Sequence, residues 1–141
     1  MNWDSELLEA ARNGDLIKVK TALEKGANPN AKDKDGDTPL HFAAQEGHVK
    51  IAKLLLEHGA DPNARNYHDW GRTPLHRAAI GGHVEIVKIL LERGVDPRIA
   101  DNEGRIPLDY AKDSTTRSLL ESALEKKRIT RQRRVTKQLK Y

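Results

Sequence analysis

Six histidines, the four serines Ser5, Ser114, Ser118 and Ser122, and no cysteine are what this 141-residue chain offers for a catalytic or metal centre. Two pairs of the histidines recur at one interval: His41 and His76, and His48 and His83, lie 35 residues apart. A helical zinc site needs two histidines four residues apart with a carboxylate nearby, and thiolates are the other common donors. Neither pattern occurs, so no metal is expected. The serines lack a G-x-S-x-G setting, and the chain has no Walker loop or dinucleotide fingerprint. Gly81-Gly82 reads as a turn between helices, not a phosphate cradle. The chain is expected to be non-enzymatic and to use no cofactor.

Histidines at a fixed interval, with no site to serve, point to repetition of the elements that carry them. Thr38–Arg65 reads T-P-L-H-F-A-A-Q-E-G-H-V-K-I-A-K-L-L-L-E-H-G-A-D-P-N-A-R. It returns from Thr73 as T-P-L-H-R-A-A-I-G-G-H-V-E-I-V-K-I-L-L-E-R-G-V-D-P-R and more weakly from Ile106 as I-P-L-D-Y-A. Upstream, L-L-E-A-A-R-N-G-D-L-I-K-V-K-T-A-L-E-K-G-A-N-P-N-A is the same phrase with its opening altered. The closing glycines Gly26, Gly59 and Gly94 are 33 and 35 apart, and the turn glycines Gly36, Gly71 and Gly104 are 35 and 33 apart. Both series place one two-residue insertion between Arg65 and Gly71, in the segment Tyr67-His68-Asp69-Trp70. A period near 33 marks a stacked-repeat protein.

On these motifs the chain resembles the ankyrin-repeat proteins over roughly residues 5 to 125. The resemblance implies an all-α solenoid of about four helix-turn-helix repeats with projecting finger loops, and a job of holding another protein. It also implies that His41 and His76 tie neighbouring repeats together by hydrogen bonds. The expected organisation is an ankyrin-repeat domain over 1–125, followed by a basic tail over 126–141. Within the domain, a cap repeat spans 1–33, repeats span about 34–66 and 67–101, and a carboxy-terminal cap spans about 102–125.

Local chemistry supports the helices. Ser5 is placed to cap the first, and Thr38 and Thr73 to cap later ones, with Pro39 and Pro74 at the first helical position where a missing N–H is harmless. Leu16, Ile17, Val19, Ala22 and Leu23 recur at helical spacing until Gly26. The last copy departs from the pattern: Ile106 stands for the capping Thr and Asp109 for the His, with a second helix from about Thr116. Polar Ser118, Glu121, Ser122 and Glu125 leave that helix one wet face, as a terminal repeat requires.

In the family the fingers and the exposed side of each first helix form a concave binding surface. There the copies differ among themselves: Asp37, Arg72 and Arg105 precede the capping position, Phe42, Arg77 and Tyr110 follow T-P-L-H or its equivalent, and Ile80 lies further along. With Tyr67, Asp69 and Trp70 of the insertion, these ten residues are the expected protein-binding set. Trp, Tyr and Arg are the commonest binding anchors. Trp70 has two readings, an anchor for a partner or a ring folded over its own finger.

Charge divides the chain. Lys126, Lys127, Arg128, Arg131, Arg133, Arg134, Lys137 and Lys140 put eight cations and no carboxylate side chain after residue 125. Taking these from the 25 basic and 21 acidic residues of the whole leaves 17 against 21, so the repeat body carries −4 while the whole carries +4. The tail could contact phosphates, an acidic protein or an anionic membrane surface; it therefore supports an alternative role, a nucleic-acid-associated adaptor, and it could equally be a solubilising extension. Without Gly or Pro it reads as a helical extension, although Ile129, Val135 and Leu139 make no convincing stripe. No apolar run of membrane-spanning length or secretory leader is seen, so a cytoplasmic protein is expected, without excluding the nucleus; a monomer is also expected.

Overall fold

The structure, a computed structural model, describes residues 1–139. Eight helices follow one another among these residues: α1 (Trp3–Asn13), α2 (Leu16–Glu24), α3 (Pro39–Glu46), α4 (Val49–Glu57), α5 (Pro74–Gly81), α6 (Val84–Glu92), α7 (Pro107–Tyr110) and α8 (Ser114–Leu139). Successive members pair as antiparallel hairpins, and like members stack: α1 on α3, α3 on α5 and α5 on α7 form one layer, and α2, α4, α6 and α8 form the other. The fingers run from the second helix of one pair to the first helix of the next.

Each first helix is delimited by its own residues. Thr38 Oγ1 accepts from the His41 N–H at 3.3 Å while His41 Nδ1 accepts from the Thr38 N–H at 3.2 Å, a reciprocal cap that Thr73 and His76 reproduce. Leu40, Ala43 and Ala44 of α3 are buried against Ile51, Ala52 and Leu55 of α4 in one continuous core. The alanines let helices approach closely, and full burial of Leu55 stabilises the stack by about 2 kcal/mol. Gly47, at φ +78°, closes α3 with its N–H on Ala43 O.

Three local expectations are corrected. The first helix begins at Trp3 under an Asn2 cap, with Asn2 Oδ1 accepting from the N–H of Ser5, so Ser5 lies in the first turn. Ile17 is exposed: its neighbour Leu16 takes the inward side, and α2 buries Val19, Ala22 and Leu23 instead. The last helix begins at Ser114, because the Asp113 carboxylate accepts from the Thr116 N–H at 2.9 Å and so caps it two residues earlier.

At 26 residues and about 1.5 Å rise per residue, α8 is roughly 39 Å long. Its first half packs on α6 and α7 through Leu119 and Leu120, whereas from Lys126 to Gln138 every residue but half-buried Lys127 is exposed. Lys140, the last cation of the sequence run, lies outside the described residues, as does Tyr141.

Candidate functional site

The conspicuous histidines are spent on joining repeats. His41 Nε2 donates to Arg72 O at 3.1 Å, and His76 Nε2 to Arg105 O at 2.9 Å, each crossing to the next finger. Both rings are fully buried, and burial lowers their pKa below the ordinary 6.5, against the opposing pull of those carbonyls. The second pair acts likewise. His48 Nε2 donates to Arg12 O at 3.1 Å and His83 Nε2 to Gln45 O at 3.0 Å, with their rings lying against Gly14 and Gly47. In sequence these two are only landmarks at helix starts. Their 35-residue interval was the available signal that they too join neighbouring repeats.

The fingers converge on Arg77. From α5 its guanidinium meets Asp37 at 2.6 Å, Asp69 at 2.9 Å and the Gln45 side-chain oxygen at 2.6 Å. Asn66 gathers the rest. Its Nδ2 donates to Asp37, and its Oδ1 accepts from the His68 and Asp69 N–H groups at 2.9 and 3.2 Å, which fixes the turn of the insertion. A backbone bridge between Asn66 and Arg72 closes its base. With two carboxylates on one guanidinium and Arg72 also reaching Asp69, the cluster is a paired wall rather than a set of free charges.

A second cluster adjoins it. Arg72 contacts Asp69 at 3.4 Å and the Tyr110 hydroxyl at 3.3 Å, and its guanidinium stands 5.0 Å from the Tyr110 ring centre. The Tyr110 hydroxyl donates to Asp101. Burial works against the Asp101 carboxylate, but that hydroxyl and the N–H groups of Arg105 and Glu103 outweigh it and hold the pKa below the ordinary carboxylate value. Arg105 lies 5.9 Å from the same ring.

Along the Arg77 cluster runs a groove of about 840 Å³, lined by finger residues Asp35, Asp37, Asn66, His68, Asp69 and Arg72 and by first-helix residues Arg12, Phe42, Gln45, Glu46, Arg77, Ile80 and Gly81. The structure thus brings together six of the ten expected binding residues: Asp37, Phe42, Asp69, Arg72, Arg77 and Ile80. Their exposure differs from the expectation of a solvent-facing set. Arg77 is 8% exposed, Phe42 5% with Arg12 stacked 4.5 Å over its ring, and Asp37 is buried as well, because ion pairing and packing within the chain claim them. Ile80 remains exposed. Tyr67, 67% exposed, lines a separate hollow with Lys32, Asp61 and Asn63. Arg105 and Tyr110 sit one repeat further on, in the Asp101 cluster.

Trp70 stands apart. The residue is 55% exposed, and its backbone at φ +60° makes it the one non-glycine residue of positive φ among the described residues. Its carbonyl accepts from the Asn102 N–H at 2.7 Å, so the next finger holds the strained residue in place. A left-handed conformation costs a residue with a side chain about 1–2 kcal/mol.

Comparison with known proteins agrees with this architecture. A family model described as ankyrin repeats in three copies matches residues 5–66, and another, ankyrin repeats in many copies, matches residues 46–91. The chain is similar to the VAPYRIN-LIKE protein of Medicago truncatula, 45% identical over 42 residues. That stretch is 30% of this chain and 9% of the plant protein, so the likeness reaches only a small part of the relative. The repeat period, the reciprocal Thr–His caps, the two stacked helix layers and these matches together place the chain in the ankyrin-repeat family.

Proposed function

We propose that this protein is a non-catalytic module that holds a protein partner on the face made by the fingers and first helices, with Trp70 and Ile80 as exposed anchors and Tyr67 on its flank. The observation that carries the reading is Trp70. An exposed indole in a strained backbone, held by the neighbouring finger, adds little to the fold's own stability and suits a surface that must present it rigidly. Ile80 and the edge of Phe42 supply apolar area inside the groove. Arg77, Asp37 and Asp69 keep its wall rigid, which lowers the ordering cost of binding. Glu46 and Asp35 leave the rim slightly acidic.

Affinity capture from extract of the source cells, read by quantitative mass spectrometry, tests this. The full chain is compared with Trp70→Ala/Ile80→Ala and with a second-helix control, Ile17→Ala/Lys53→Ala. Loss of two anchors is expected to weaken capture of the partner roughly 30-fold or more. The control should capture as the parent does, with both variants melting within a few degrees of it. A partner captured equally by all three would overturn the site.

A further inference from the structure

The exposed half of α8 is a rod, and its charges are not spread evenly round it. At about 100° per residue, Lys126, Lys127, Arg131, Arg133, Arg134 and Lys137 fall within an arc of roughly 160°. The opposite side carries Arg128, Ile129, Gln132, Val135 and Thr136. Arg128 differs from the other cations in being bound, to Glu125 at 2.5 Å. Among the described residues the remaining six have no carboxylate within ion-pair distance, and all are exposed except half-buried Lys127. The rod extends about 20 Å past Glu125 and carries its charge away from a repeat body of net −4.

From this we infer that the 126–139 arm is a docking helix for duplex DNA, seated in the major groove with its cationic half-cylinder against the phosphates. Charge complementarity selects a polyanion. An interfacial membrane helix needs a broad apolar face with aromatic or leucine anchors, whereas here Gln132, Thr136 and Arg128 interrupt Ile129 and Val135. Single strands are held by aromatic stacking platforms, and residues 126–139 contain no aromatic. Of the two duplexes, the major groove of B-form DNA admits an α-helix, while that of A-form RNA is too deep and narrow. Cations placed against phosphates imply binding with little sequence preference. The repeat face and the arm then serve different partners, so the protein would bring a protein to DNA.

Fluorescence anisotropy with a labelled random-sequence duplex of 20 base pairs, using the full chain across a KCl series, tests the inference. Six phosphate contacts predict a log–log salt slope of about −5, and so a fall in affinity of roughly a thousandfold between 50 and 200 mM salt. The full-length variant with all six cations changed to Gln should lose binding at 50 mM while its repeat melting is unchanged. A charge-conserving variant, Gln132→Arg/Arg133→Gln/Arg134→Val/Val135→Arg, moves two cations to the other side of the rod and should flatten the slope by about two units. The inference is overturned by absence of binding at 50 mM or by full binding of the six-Gln variant. It is equally overturned by an unchanged slope in the charge-conserving variant, or by tighter binding to duplex RNA, polyglutamate or phosphatidylserine vesicles than to DNA. None of these outcomes depends on the repeat-face reading, which Trp70 and Ile80 test separately.

Discussion

At the scale of single residues, burial separates the side chains that hold the repeats from those free to meet a partner. His41 and His76 hold. Each ring accepts a backbone N–H at Nδ1 and donates from Nε2, so a second proton would destroy the first bond inside the core. Burial puts their folded pKa below the unfolded 6.5, so the unfolded chain takes up protons first as pH falls. Stability from this source is full above pH 6.5, declines below it by roughly 1.4 kcal/mol per pH unit for each ring, and levels off below the folded pKa. Urea denaturation between pH 8 and 4.5 should show this decline. A His41→Gln/His76→Gln variant should be less stable at pH 8 and follow pH more weakly. Arg77 also holds: Arg77→Ala leaves buried Asp37 without a cation and Asp69 with Arg72 alone, and should cost about 3 kcal/mol. Trp70→Gly should behave oppositely, raising stability by up to about 1 kcal/mol as it releases the positive φ, yet losing the partner. Both are read from chemical denaturation midpoints, and a destabilised Trp70→Gly would show the indole to be a packing residue.

Among the elements, the turns decide how closely neighbouring repeats approach. Gly47 and Gly59 both have positive φ and both end a helix hairpin segment, but their surroundings differ. A Cβ at Gly47 would lie 2.7 Å from His83 Nδ1, whereas at Gly59 it would meet nothing within 4 Å. Gly59→Ala should therefore cost only the backbone term, about 1 kcal/mol, and Gly47→Ala should exceed it by another 1 kcal/mol or more as the His83–Gln45 bond is displaced. Equal losses for the two would show that the ring moves aside freely. The same contrast shows what was legible in the sequence. Thr-Pro-Leu-His and the glycine stops follow from chemistry within one repeat, so element type and order could be read directly. The burial of Arg77 could not, because its partners Asp37, Gln45 and Asp69 are brought to it only when fingers and first helices stack. Asn2 and Asp113 as caps were missed because Ser5 and Thr116 offered competing hydroxyls a few residues on.

For the whole molecule, a stack in which each repeat touches only its neighbours has a core that runs along its length, so stability is a sum of repeat and interface terms and falls toward unsupported ends. The two ends are not alike. α1 is a full three-turn helix with Leu7, Ala10 and Ala11 buried, whereas α7 has four residues and follows Ile106, whose side chain cannot cap it. Asp109 supplies half of the missing box by accepting from the Ile106 N–H at 2.9 Å. Beyond it, among the described residues, the arm after Glu125 shows helix bonds, one flanking ion pair and a half-buried Lys127 to hold it, and an isolated helix of that length is marginal in water. Native-state hydrogen exchange should therefore be graded along the chain: slowest in α3–α6, faster in α7 and the start of α8, and nearly unprotected beyond about Lys127. Saturating duplex DNA should raise protection selectively in the arm, because a helix seated in a groove is ordered by its contacts. Protection of the arm equal to that of α4 without any ligand would show that it is already packed, and would remove the free rod on which DNA docking depends.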